Sequence, residues 1–239
     1  GYRIVGLDIA GIQRSLSMQN LRFPIRLFKS LQEARNVIKD FAPNICVGVG
    51  GYASGPTLFV AGRMGIPTLI QEQNSYAGIT NKLLARKAKK ICVAYPQMDK
   101  FFSQEKIVFT GNPVRSDILD ISQKKLSALH HFGLKENKKT LLVIGGSLGA
   151  RTINESIKKW IDRILDNDIQ LIWQTGKTFF DTAQKVVVEK RSEQIKVFDF
   201  INTMDLAYAA SDVVISRAGA LSISELCLVQ KPCILVPSP

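Results

Sequence analysis

The sequence predicts an α/β chain built as two successive parallel-sheet domains with a cleft between them. Three observations predict it. Short apolar runs alternate with helix-length segments along the whole chain, which implies parallel strands joined by right-handed crossovers. A glycine-rich turn follows directly on an apolar run in each half, Gly48 to Pro56 and Gly145 to Arg151. Gly111-Asn112-Pro113-Val114-Arg115 is a turn signal between the halves and reads as a hinge. The expected division is an N-terminal domain over 1–115, a linker over 116–137, within which 118–137 reads as a short helix and a charged stretch, and a C-terminal domain over 138–239. Both domains are Rossmann-like, and a cleft between two such domains is where substrates bind.

Taken in order, Tyr2 to Ile9 reads as a strand, with Gly1 resembling a cut point, and 13–21 as a loop. Phe23 to Val37 carries apolar residues at helical spacing, interspersed with Arg22, Arg26, Lys29 and Arg35, and has Pro24 in its first turn. It reads as a basic amphipathic helix. One reading packs its apolar stripe into the core; the other turns Phe23, Ile25 and Phe28 toward lipid headgroups. Ile45 to Val49 is a strand, Thr57 to Met64 a helix, Pro67 to Gln71 a strand and Ile79 to Ala88 a basic helix. Ile91 to Ala94 and Ile107 to Thr110 are short strands. Beyond the linker, strands at 140–144, 169–174, 195–198, 213–215 and 232–236 alternate with helices at 152–164, 179–189, 204–210 and 222–229.

Composition narrows the function. No run of about 18 apolar residues exists, so no helical span is expected. The four cysteines, Cys46, Cys92, Cys227 and Cys233, form no C-x-x-C and no metal-ligand spacing, so no metal or cofactor is expected, and buried reduced thiols are the simplest account. The net charge is +12, concentrated in residues 1–115, which hold 16 Lys+Arg against 6 Asp+Glu. Such a half suits an anionic partner: nucleic acid, an anionic membrane surface or a phosphorylated substrate. Nucleic acid is disfavoured, because aromatics do not interleave the basic residues and no nucleic-acid motif occurs.

The most informative stretch is Ser216-Arg217-Ala218-Gly219-Ala220-Leu221-Ser222-Ile223-Ser224-Glu225. A buried strand leads into it and a helix leaves it. The N–H groups of Ala220, Leu221 and Ser222 open the helix and suit an anion, and the helix dipole favours negative charge there. Glu225 lies one turn on, on the face of Ser222, where a carboxylate can accept from both hydroxyls of a ribose. This reads as a nucleotide-diphosphate site; the plainer reading is a capped helix with a surface Glu. The Gly48–Pro56 turn also suits phosphate, but the next run, Pro67 to Gln71, leads into Glu72-Gln73-Asn74 without the pattern of a nicotinamide fingerprint, which argues against NAD. Glu72-Gln73-Asn74 sits at a strand's C-terminal end, where open α/β sheets bind ligands; its alternative is a polar turn that caps the following helix.

In this order and spacing, Gly48 to Pro56, Glu72-Gln73-Asn74 with Gly78 to Lys82, Gly111 to Arg115, Gly145 to Arg151, Phe200-Ile201 and Ser216 to Glu225 resemble the MurG family of N-acetylglucosaminyltransferases. The resemblance implies a two-domain GT-B fold and inverting transfer of GlcNAc from UDP-GlcNAc to undecaprenyl-diphosphate-MurNAc-pentapeptide, at the cytoplasmic face of the cell membrane. It implies that Ile201 meets the uracil through its main chain and that Glu225 takes the ribose hydroxyls. Arg115, Ser147, Leu221 and Ser222 would line the diphosphate, with Ala220 and Asn74 near the sugar and Ile223 and Ser224 completing the donor turn. Gly50, Gly51, Tyr52 and Ser54 would face the acceptor diphosphate. Arg22, Phe23, Ile25, Arg26, Phe28 and Lys29 would meet the anionic membrane surface, and Glu72 is the candidate base.

Three departures qualify the resemblance. Gln71 stands where relatives carry His, and the family's first glycine loop and its sugar-contacting glutamine fall outside these 239 residues, so the isolated chain is expected to turn over little or no substrate. The alternatives are another UDP-GlcNAc-using GT-B enzyme such as a 2-epimerase, or a basic module that binds UDP or an anionic surface.

Overall fold

The computed structural model describes residues 2–9, 23–146 and 149–237. The chain divides into two compact units, 1–112 and 113–239.

The first unit holds helix α1 (Phe23–Phe41), β1 (Cys46–Gly48), α2 (Gly51–Arg63), β2 (Thr68–Glu72), α3 (Ile79–Leu84), β3 (Lys90–Val93) and β4 (Ile107–Phe109). Its four strands lie parallel in the order β1-β2-β3-β4. The registers Gly48↔Ile70 and Glu72↔Val93 bring the first glycine turn and the Glu72 loop to the same C-terminal sheet edge. The core gathers Ala34 and Ile38 of α1, Leu58 and Ala61 of α2, and Ile70, Ile91 and Val93 of the sheet. Gly50 and Gly51 take φ of 89° and 77°, a left-handed turn that glycine tolerates best. α2 therefore begins at Gly51, six residues before the expected start, and holds Pro56 inside it.

Residues 2–9 are not a strand. Their polar contacts run to the side chains of α1: Arg3 pairs with Asp40, the Asp8 N–H donates to Glu33, and Lys29 donates to Asp8. Without ladder hydrogen bonds an apolar run does not become part of a sheet. The expected loop over 13–21 lies outside the described residues.

The second unit holds α4 (Lys125–His131), β5 (Thr140–Ile144), α5 (Arg151–Asp166), β6 (Gln170–Gln174), α6 (Lys177–Lys190), β7 (Ile195–Phe198), α7 (Met204–Ala210), β8 (Val213–Arg217), α8 (Ala220–Val229) and β9 (Cys233–Val236). The five strands are parallel in the order β7-β6-β5-β8-β9. Alternation along the strands supplies two cores: Leu142 and Ile144 face one layer and Val143 the other. Ile153, Ile157, Ile161 and Ile164 form the buried stripe of α5.

Residues 116–137 differ from the expected linker. Ile118, Ala128, Leu129, Phe132 and Leu134 are buried in the core of the second unit with Met204, Tyr208 and Leu226. Their apolar positions are too scattered to show a period, so the sequence conceals how much surface they bury. The thiols differ as well: Cys46 is buried, Cys92 half-buried, and Cys227 and Cys233 exposed.

Candidate nucleotide-sugar site

Strand order positions the site in the second unit. From β5 the chain proceeds to β6 and β7 on one side, then crosses to β8 and β9 on the other. The order reverses between β5 and β8, and ligands of open α/β sheets bind outside the strand ends at such a point. Ile144 of β5 pairs with Ser216 of β8, and Gln174 of β6 pairs with Ile144 and with Phe198 of β7. Both conspicuous turns of this half therefore leave the sheet side by side.

The turn after β5 is glycine by necessity. Gly149 has φ of 78°, and a Cβ there would strike the carbonyl oxygen of Thr175. Asn154 on α5 fastens the turn from behind: its Nδ2 donates to the Thr175 carbonyl at 2.8 Å and its Oδ1 accepts from Trp173 Nε1 at 3.0 Å. Ser147 lies outside the described residues.

The turn after β8 is set by backbone. Gly219 N–H donates to the Arg217 carbonyl at 2.8 Å and Ala218 N–H to the Val236 carbonyl at 3.0 Å. α8 then starts at Ala220 with Gly219 extended and no side-chain cap. The N–H groups of a first helical turn have no carbonyl four residues back to bind. Leu221 is exposed and Ser222, Ile223 and Ser224 half-buried, and the Ile223 N–H donates to the Gly219 carbonyl at 2.9 Å. Ser224 directs its hydroxyl back to the Ala220 carbonyl at 3.0 Å. Gly219 keeps an ordinary φ of −79°, and a Cβ there would meet Ser222 Oγ at an ordinary 3.6 Å, so the backbone does not require glycine at this position.

Glu225 is less exposed than a surface Glu. Its Oε2 accepts from the Tyr208 hydroxyl at 2.9 Å, and Arg115 Nε lies 3.9 Å from its Oε1. Burial first, and then the charge of Glu225, push the Tyr208 phenol well above its usual range, so it stays a donor. Arg115 also donates to the Asn202 carbonyl at 3.4 Å, next to Ile201. The Ile201 N–H is not open: it donates to Gln174 Oε1 at 3.2 Å, while Gln174 Nε2 donates to the Gly146 carbonyl at 3.2 Å. Gln174 thus ties the glycine turn to the Ile201 segment. In this arrangement the main-chain group of Ile201 left for a base is its carbonyl, not its N–H.

Of the expected donor residues, Arg115, Ile201, Ala220 to Ser224 and Glu225 come together at one sheet edge. Asn74 belongs to the first unit, where it is exposed and its Nδ2 donates to Glu72 Oε1 at 3.4 Å. Sequence reasoning missed Tyr208 and Gln174. The only signal either gave was a polar atom inside an apolar or buried segment.

In the first unit, Glu72 is 2% exposed and fully engaged. Its Oε1 accepts from the Asn74 N–H at 3.1 Å and from Asn74 Nδ2. Its Oε2 accepts from the Gly78 N–H at 2.9 Å and from Asn81 Nδ2 at 2.8 Å. A carboxylate so occupied is a clasp for the 73–78 loop and is poorly placed to collect a proton. Ser54 also departs from expectation: its hydroxyl donates back to the Gly50 and Gly51 carbonyls at 2.8 and 2.9 Å, so it offers an anion no proton. Gly50, Gly51 and exposed Tyr52 remain at the open start of α2. Among the described residues no three His, Cys, Asp or Glu side chains gather as a metal-ligating group.

On α1, Ser30, Ala34 and Ile38 face the core. Ile25 is 72% and Phe28 63% exposed, beside exposed Arg26 and Lys29, and Phe23 is half-buried. Arg22 lies outside the described residues. Lys29 is partly neutralised by Asp8 at 3.2 Å and Glu33 at 3.8 Å. Among the described residues no helix is long and apolar enough to cross a membrane.

Two successive parallel-sheet α/β units of this kind are the architecture of the GT-B class of protein. Residues 1–93 match the glycosyltransferase family 28 N-terminal domain and residues 140–239 its C-terminal domain. The chain is 58% identical over 239 residues to the UDP-N-acetylglucosamine--N-acetylmuramyl-(pentapeptide) pyrophosphoryl-undecaprenol N-acetylglucosamine transferase of Parabacteroides distasonis. It is 56% identical over 241 residues to the protein of the same name from Bacteroides thetaiotaomicron. All of this chain is covered in both, and it spans about 65% of the length of these relatives. Among solved structures it resembles Acinetobacter baumannii MurG, with a TM-score of 0.63 and 29% identity over 90% of this chain and 58% of that one. It also resembles S. aureus MnaA solved with UDP, with a TM-score of 0.65 over 90% of this chain and 64% of that one; at 17% identity this likeness is one of fold. The chain belongs to the MurG family of glycosyltransferase family 28.

Proposed function

We propose that the protein serves inverting transfer of GlcNAc from UDP-GlcNAc to undecaprenyl-diphosphate-MurNAc-pentapeptide in peptidoglycan synthesis. The observation that carries this reading is the convergence of the α8 N-terminus, Glu225 and Arg115 at the β5/β8 switch point. The names of the relatives support it, since each names this donor sugar and this lipid-linked acceptor.

In this reading the second unit holds UDP-GlcNAc. Glu225 accepts from the ribose hydroxyls, and the uracil meets the main chain at Ile201. The diphosphate lies against the first turn of α8 and the turn before α5. As the acceptor hydroxyl attacks the anomeric carbon from the opposite face, the new carbon–oxygen bond forms, the sugar–phosphate bond breaks, UDP leaves with added negative charge, and the hydroxyl proton is released to solvent. Helix N-terminal N–H groups and the Arg115 guanidinium are fixed donors for that charge. The first unit takes the acceptor: Gly50, Gly51 and Tyr52 face its diphosphate. Glu72 contributes by holding Asn74 and the 73–78 loop in place. Ile25, Phe28 and Arg26 on α1 rest on the anionic, cytoplasmic face of the membrane, which suits the basic N-terminal half.

Calorimetry tests the reading. UDP and UDP-GlcNAc should bind the chain, while NADH and a mixed-sequence oligonucleotide should not. Binding of either of the latter in place of UDP would contradict it.

A further inference from the structure

We propose that Tyr208 is the positioning residue that aims the Glu225 carboxylate at the ribose, so that discrimination for the 2′,3′-diol depends on the Tyr208 hydroxyl. The proposal rests on the reading of Glu225 as the ribose acceptor. Tyr208 stands on α7, 17 residues before Glu225, and is 1% exposed. Its ring is set in the core with Met204, Leu226 and Ile201, so its hydroxyl has a fixed location. That hydroxyl donates to Oε2 of Glu225 at 2.9 Å. A carboxylate has about four acceptor directions. Tyr208 occupies one on Oε2, and Arg115 stands at 3.9 Å from Oε1. The carboxylate is thereby held between a buried donor and a cation, with acceptor capacity left for two sugar hydroxyls.

A Glu side chain free to rotate would lose this aim on each excursion. Pre-organising an acceptor on a rigid element removes that loss. Burial keeps the phenol protonated, so it acts on the carboxylate only as a donor.

The experiment compares UDP with 2′,3′-dideoxy-UDP by calorimetry on the unsubstituted chain, Tyr208→Phe and Glu225→Gln, with circular dichroism melts alongside. The unsubstituted chain should prefer UDP by roughly tenfold or more, the scale of hydrogen bonds to a charged acceptor. Tyr208→Phe keeps the ring and should weaken UDP roughly three- to tenfold while leaving dideoxy-UDP unchanged, so the preference shrinks. Replacing the hydroxyl by an amine, with 4-aminophenylalanine at 208, should restore it. If Tyr208→Phe leaves UDP binding unchanged, or weakens both nucleotides equally, while Glu225→Gln erases the preference, the proposal falls and the ribose reading stands. If Glu225→Gln leaves the preference intact, or the unsubstituted chain shows none, the ribose reading falls and the proposal falls with it. Should the Phe variant not fold, the 4-aminophenylalanine protein carries the comparison, and loss of the preference there overturns the proposal.

Discussion

Asn81 Nδ2 donates to Oε2 of Glu72 at 2.8 Å, within a buried pair that also fixes the Gly78 N–H. The relationship makes Glu72 the organiser of the loop between β2 and α3. Asn81 Oδ1 is itself buried without a hydrogen-bond partner, so the amide is turned toward Glu72 at the expense of its other end.

Glu72→Gln should therefore act on stability. It turns one of the two acceptor oxygens into a donor, facing either the Gly78 N–H and Asn81 Nδ2 or the Asn74 N–H and Nδ2, at a cost of about 1–3 kcal/mol. Urea unfolding of the first unit's transition measures it. An unchanged midpoint would show that the clasp does not hold the loop.

Gln174→Ala should loosen the donor side. It strips the partner from the buried Ile201 N–H and from Gln174's own contact with the Gly146 carbonyl. The expected loss is about 1–3 kcal/mol in stability, together with weaker UDP binding. Normal UDP affinity in a folded Gln174→Ala protein would separate the glycine turn from base recognition.

Acid should unlatch the second unit at Asp212. Burial alone would raise this carboxyl, but the Thr140 N–H at 2.9 Å, Lys125 at 3.0 Å and Lys139 at 3.6 Å outweigh it and hold it below the ordinary carboxylate range. A group depressed in the folded state stabilises above its unfolded pKa, and the gain is lost as pH falls through the folded value. Asp212→Asn should thus be less stable than the unsubstituted chain at pH 7, and the difference should shrink as pH falls below about 4. Melting curves at pH 7 and at low pH check this; a difference independent of pH would contradict it.

Placing charge on the exposed apolar positions of α1 tests the membrane reading. Changing both Ile25 and Phe28 to Glu should abolish sedimentation with phosphatidylglycerol vesicles, with the core face of Ser30, Ala34 and Ile38 untouched. Unchanged sedimentation would remove α1 from the membrane.

The parts of the fold legible in the sequence are those whose pattern is local. β5 and β7 fall on the expected residues because apolar runs bounded by polar residues need no partner to be seen, and α7 does so as well. The failures are non-local. Tyr2 to Ile9 reads as a strand but spends its donors and charges on α1. Ile118 and Leu129 fall in a segment that reads as a short helix and a charged linker, and only the neighbouring layer reveals their burial. At the site, Glu225 was visible from its spacing to the glycine turn. Its partner Tyr208 and the Gln174–Ile201 bond span 17 and 27 residues across helix crossovers, which no periodicity encodes.

The most direct measurement is the affinity of UDP for the chain and for Glu225→Ala. UDP should bind the unsubstituted chain, and the substitution should weaken binding by about 1.5–3 kcal/mol, as for lost hydrogen bonds to a charged acceptor. Equal affinities, or no UDP binding by the unsubstituted chain, would contradict a nucleotide-sugar site at the start of α8.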